Sequence, residues 1–122
     1  MHGLVLIAHG SRRQASNTEI MELGASLQDA VTDHFQVVET GFLEIASPSV
    51  AEAIESCIDN GATDITVVPY FLSAGRHVVE DIPAIVAQVA RKHEAVTINI
   101  TEHVGAAETM PGLILEAAIC RT

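Results

Sequence analysis

Aromatic side chains are nearly missing from this chain, which has no tryptophan, one tyrosine and three phenylalanines in 122 residues. A core built without them has to be aliphatic, and the 48% apolar share provides for one. Basic residues are scarce as well, six against sixteen acidic ones, giving a formal net charge of −10. A surface of that sign repels phosphate backbones and anionic headgroups, so nucleic acid and membrane are excluded as main partners. Cys57 and Cys120 form no C-x-x-C pair. Each falls in an apolar helical pattern, where a free thiol behaves as a small core hydrophobe, and the compartment reads as reducing. No apolar run approaches the length of a membrane span, and no basic or cleavable leader precedes the first strand pattern. The expectation is a cytoplasmic protein. Repeats, low-complexity stretches and linkers are also missing, so residues 1–122 read as one domain.

What is present is an alternation of short β-branched runs and amphipathic stretches. Gly3 to Ala8, Gln36 to Leu43, Asp64 to about Tyr70 and Ala95 to Thr101 read as strands, the third halted by Pro69. Ser16 and Glu19 have the spacing of a capping box, which predicts a first helix from there to about Asp33, burying Ile20, Leu23, Leu27, Ala30 and Val31. Ser47-Pro48 or Ser49 with Glu52 opens a second helix that Gly61 stops after Asn60. Asp81 with Pro83 opens a third, reaching about His93, with Arg91 and Lys92 complementing its terminal dipole. Thr109 and Pro111 open a fourth that ends the chain. Four strands alternating with four helices predict an α/β fold, a single four-stranded parallel sheet with helices on both faces in the order 2-1-3-4.

In that order the loops after strands 1 and 3 are neighbours at the carboxyl edge, where open α/β sheets bind ligands. Loop 1 carries His9, Ser11, Arg12 and Arg13, loop 2 carries Glu44, loop 3 carries Ser73, Arg76 and His77, and loop 4 carries His103. Two imidazoles and a carboxylate suit a divalent first-row metal at an open site. Three of the six basic residues lie in these loops, which fits an anionic ligand. A plainer reading stands beside each: a histidine at a strand end as a structural hydrogen-bonding group, Glu44 as a helper at the start of the second helix, the arginines as surface solvation. His2, His34 and His93 carry no assigned role. Loop 1 has too few glycines for a dinucleotide fingerprint and no Gly-Lys-Ser/Thr of a P-loop. It also lacks the arginine that precedes His-Gly in histidine phosphatases, and the chain has no Gly-x-Ser-x-Gly elbow.

Ala8-His-Gly-Ser-Arg12, Gly41-Phe-Leu-Glu44 with Pro48-Ser49, and Val68-Pro-Tyr-Phe-Leu-Ser-Ala-Gly-Arg-His77 resemble the successive motifs of the sirohydrochlorin chelatases, class II enzymes of the CbiX/SirB type in their short single-domain form. The resemblance spans nearly the whole chain. It implies a lyase that inserts Co2+ or Fe2+ into sirohydrochlorin on the way to cobalamin or sirohaem, with the metal as co-substrate and no organic cofactor. Carried over residue by residue, His9 and His77 bind the metal, Glu44 assists them and takes pyrrole protons, and His9 and Glu44 form the catalytic pair. Ser11, Arg12, Arg13, Ser73 and Arg76 fall to the carboxylate-ringed substrate. Larger relatives place two such domains across a cleft, which implies a homodimer here. Nickel ranks below cobalt and iron, because the histidine-rich insertion of nickel-handling short relatives is missing. The strand 4 loop around Glu102 and His103 departs from the family's proline- and leucine-rich segment. Two other readings stay open: a non-catalytic metal or tetrapyrrole carrier with the same fold, and a phosphate-handling flavodoxin-like domain.

Overall fold

The computed structural model describes residues 1–30 and 33–120. Four parallel strands, β1 (His2–Ala8), β2 (Val37–Phe42), β3 (Asp64–Pro69) and β4 (Thr97–Ile100), form one sheet in the order β2-β1-β3-β4. The α/β architecture and the expected order both hold. Four α-helices connect and follow the strands: α1 (Gln14–Asp29), α2 (Val50–Asp59), α3 (Ile82–Lys92) and α4 (Met110–Cys120).

Because side chains alternate along a strand, Val5, Ile7, Ile65 and Val67 share one face of the sheet. They pack there with Val50, Ile54 and Cys57 of α2 and Ile82, Val86 and Val89 of α3 in an aliphatic core. Leu6, Ala8 and Thr40 point the other way, and α1 lies over that half with Gly24 so close to Thr40 that a Cβ would overlap its hydroxyl.

Two helix starts differ from the sequence reading, and a third is decided between its two alternatives. The proposed Ser16–Glu19 box does not form: α1 begins a turn earlier, after Arg13, because Asn17 is buried and spends its side chain on loop 1, accepting from Ser11 N–H at 2.9 Å and donating to the Ser11 carbonyl at 2.7 Å. At α2 the Ser49–Glu52 register is the one used, with both arms of the capping box made at 3.1 and 2.8 Å. Asp81 does not cap α3; a π-helical turn over His77–Asp81 leads into it, and the Asp81 carboxylate reaches back to His77 instead. Helix α1 stops at Asp29, short of the expected Asp33, and Val31 lies outside the described residues. Cys120 is exposed on α4 and is no core residue, whereas Cys57 is buried as expected. No described helix is long and apolar enough to cross a membrane.

Candidate metal centre

Two backbone hydrogen bonds continue the β1–β2 ladder past the strands, from Leu43 N–H to the Ala8 carbonyl at 3.0 Å and from Glu44 N–H to the His9 carbonyl at 3.1 Å. They lock His9 beside Glu44. The chain then turns at Gly10, whose φ of +98° and contact with the Glu44 carbonyl leave no room for a Cβ. On the other side of β1, Tyr70 N–H donates to the Ile7 carbonyl at 2.7 Å, fixing where β3 hands over to its loop. That loop ends in the π-helical turn, which swings His77 over β1.

The result is a trio. His9 Nε2 lies 2.9 Å from Glu44 Oε1, and the His9 and His77 rings are 4.7 Å apart between centroids. One donor atom from each of His9, Glu44 and His77 falls within 4.8 Å of the other two. Donors so spaced can share one ion with little movement, and two imidazoles with a carboxylate favour a first-row divalent metal. His77 Nδ1 sits 2.7 Å from Asp81 Oδ2, which fixes the tautomer and leaves Nε2 for an ion. The side chains of His9, Glu44 and His77 are 43%, 54% and 43% exposed, so the centre is open. It borders two clefts: about 310 Å³ between Glu44, His77, Asp81 and Ile85, and about 270 Å³ among His9, Ser11, Ile20, Phe42 and Tyr70.

The remaining loop residues are placed less tightly. Ser11 Oγ accepts from Arg13 N–H at 3.0 Å, so this hydroxyl shapes the loop. Arg12, Arg13 and Ser73 are exposed at the same edge. Arg76 is 82% exposed and pairs with Glu80 at 3.4 Å, a contact weak enough to be exchanged for another carboxylate. His103 stands at the entry to a 3-10 turn over Val104–Ala106 and is not part of the trio. His93 pairs with Glu55 and His2 with Asp64, both structural. Sequence reasoning missed Asn17 and the second role of Asp81. The i, i+4 spacing of His77 and Asp81 was the available signal for the latter.

Fold and centre together define a parallel α/β domain that gathers His9, Glu44 and His77 at the open carboxyl edge of its sheet, within reach of one ion. Residues 3–119 match the CbiX family model, and the chain belongs to the CbiX family. It is 33% identical over 118 residues to a sirohydrochlorin cobaltochelatase of Sulfolobus acidocaldarius, covering 97% of this chain and 90% of that one. The chloroplastic sirohydrochlorin ferrochelatase of Arabidopsis thaliana is 33% identical over 103 residues, 84% of this chain but 45% of that protein. The structure of the sirohydrochlorin chelatase SirB from Bacillus subtilis subspecies spizizenii in complex with cobalt superposes with a TM-score of 0.87 at 26% identity, covering 98% of this chain and 50% of SirB. The chain thus spans about half the length of the two larger proteins.

Proposed function

We propose that this chain is a chelatase that inserts Co2+ or Fe2+ into sirohydrochlorin. The observation that carries the reading is the convergence of His9, Glu44 and His77 on one point at the edge of an open cleft. The likeness to cobalto- and ferrochelatases supports the substrate pair.

Insertion exchanges two pyrrole N–H protons for one divalent ion. His9 and His77 hold the ion through neutral imidazole nitrogens, so loading falls as the solution is acidified. Glu44, fixed by its backbone tie to His9 and half-exposed, is the acceptor for a departing pyrrole proton, which it passes to solvent before taking the second. Arg12, Arg13 and Arg76, with Ser11 and Ser73 beside them, meet the peripheral carboxylates of the ring. They give a local positive field in a chain of net charge −10.

The open centre is one wall of a cleft, and a second copy of the chain supplies the other; that the chain covers only half of SirB supports two such units. Residues 1–122 act as one domain of a homodimer that works in the cytoplasm without an organic cofactor. Replacing Glu44 with alanine tests the reaction. Sirohydrochlorin and Co2+ should still bind, while the rate of insertion, followed by the absorbance change of the ring, falls by about 10²–10⁴-fold. A variant inserting metal at the parental rate would remove Glu44 from the reaction, and a parent that binds both ligands without accelerating insertion would turn the assignment toward a carrier.

A further inference from the structure

The chain reverses directly after Glu44. Glu44 N–H donates to the His9 carbonyl at 3.1 Å, and Ala46 N–H donates to the Glu44 carbonyl at 2.7 Å. Ile45, at the centre of the three-residue turn so closed, has a φ of +72°. This is the rare, strained form of the γ-turn, in a region that β-branched residues seldom enter because Cβ crowds the backbone. Among the described residues Ile45 is the one non-glycine position with positive φ.

The backbone has a reason to turn there. With its N–H tied to His9 and its carbonyl packed on Gly10, Glu44 is held at both ends beside its partner in the trio. Glycine or asparagine would make the same turn with little strain. The turn therefore accounts for the φ and leaves the isoleucine unexplained.

Packing does not explain it either. Ile45 is 59% exposed and does not pack on the core, unlike Leu43 two residues earlier. Water disfavours that side chain just as the backbone does. Tyr70, Leu72 and Val79 are also exposed, on loop 3 and its π-helical turn, so the loops that carry Glu44 and His77 carry apolar side chains into solvent as well.

We propose that Ile45 is a substrate-contacting residue, its side chain packing on the face of the macrocycle beside the pyrrole nitrogen that Glu44 deprotonates. This contact rests on the chelatase reading above and adds to it a residue that selects for the ring. A tetrapyrrole is too large for either cleft at the trio, of about 310 and 270 Å³. It has to lie across them and meet what projects from the edge. An exposed isoleucine next to the acceptor carboxylate offers the apolar face of the ring a surface that is better covered than wet. The side chain has no atom for a metal or a proton, so its effect falls on ring binding alone.

Substitutions in the full chain test it. Ile45→Gly removes the side chain and the strain together, so the urea midpoint should rise. KM for sirohydrochlorin should rise about 10-fold, while kcat and the affinity for Co2+ in calorimetry stay at the parental values. Ile45→Asn, which also tolerates the left-handed region, should match it, and Ile45→Leu should keep KM near the parental value. An Ile45→Gly variant with a higher midpoint and unchanged KM, or with lower kcat at constant KM, would overturn the contact while leaving the chelatase chemistry. A change of mass in sedimentation caused by Ile45→Gly would make the residue a contact between copies and overturn it likewise. A parent that does not insert metal would overturn the contact and the chemistry together.

Discussion

At the scale of single residues, the metal centre depends on what holds each ligand. Asp81 holds His77 through Nδ1 at 2.7 Å, and such outer partners are worth about 10–100-fold in metal affinity. Asp81→Ala should weaken Co2+ binding by that factor in calorimetry. Asp81→Asn keeps an oxygen to accept from Nδ1–H and should retain most of the affinity, and equal losses in the two variants would remove the orienting role. Cys57 makes a different prediction. Burial in the core, reinforced by the charge of Glu39, pushes its thiol up from 9.0 to about 11. The unfolded chain then loses this proton before the folded one, so the contribution is complete below pH 9 and drains away between pH 9 and 11. Urea unfolding across that range should show a decline that Cys57→Ala makes shallower.

At the scale of elements, Ser49 is the cap that the sequence announced and the structure uses, and Ser49→Ala should cost about 1 kcal/mol in urea unfolding. The strands were legible because short apolar, largely β-branched runs between turn and cap signals have few other readings. Their order followed from the alternation with helices and the handedness of crossovers. The start of α1 was not legible, since Ser16 and Glu19 fit a capping pattern and nothing local says that Asn17 will be buried and tied to Ser11. Asp81 misled for a related reason: a carboxylate two residues before proline suits a cap, and only the π-helical turn brings it to His77 instead. The trio itself was readable because three strand ends fix three loops, while the hydrogen bond that Ser11 accepts within its own loop, from Arg13 N–H, was not.

At the scale of the whole molecule, apolar composition and cap signals cannot say whether a helix packs into its own core or stands exposed, as α4 does. That ambiguity is why the last helix could be located from sequence but not placed. The chain presents the His9–Glu44–His77 trio on an open edge, and the arginines around it counter an otherwise acidic surface only locally. Steering of an anionic ring to that edge should weaken with salt, so KM for sirohydrochlorin should rise between 0.05 and 0.5 M NaCl, about where screening lengths fall below the size of the cleft. The central claim is that this chain carries out the metal insertion itself. Mixing the purified protein with sirohydrochlorin and Co2+ and following the ring's absorbance against an enzyme-free control tests it most directly. The account predicts a rate proportional to enzyme concentration and abolished by His9→Ala with His77→Ala; a folded protein that binds both ligands yet leaves the rate at the enzyme-free value would contradict it.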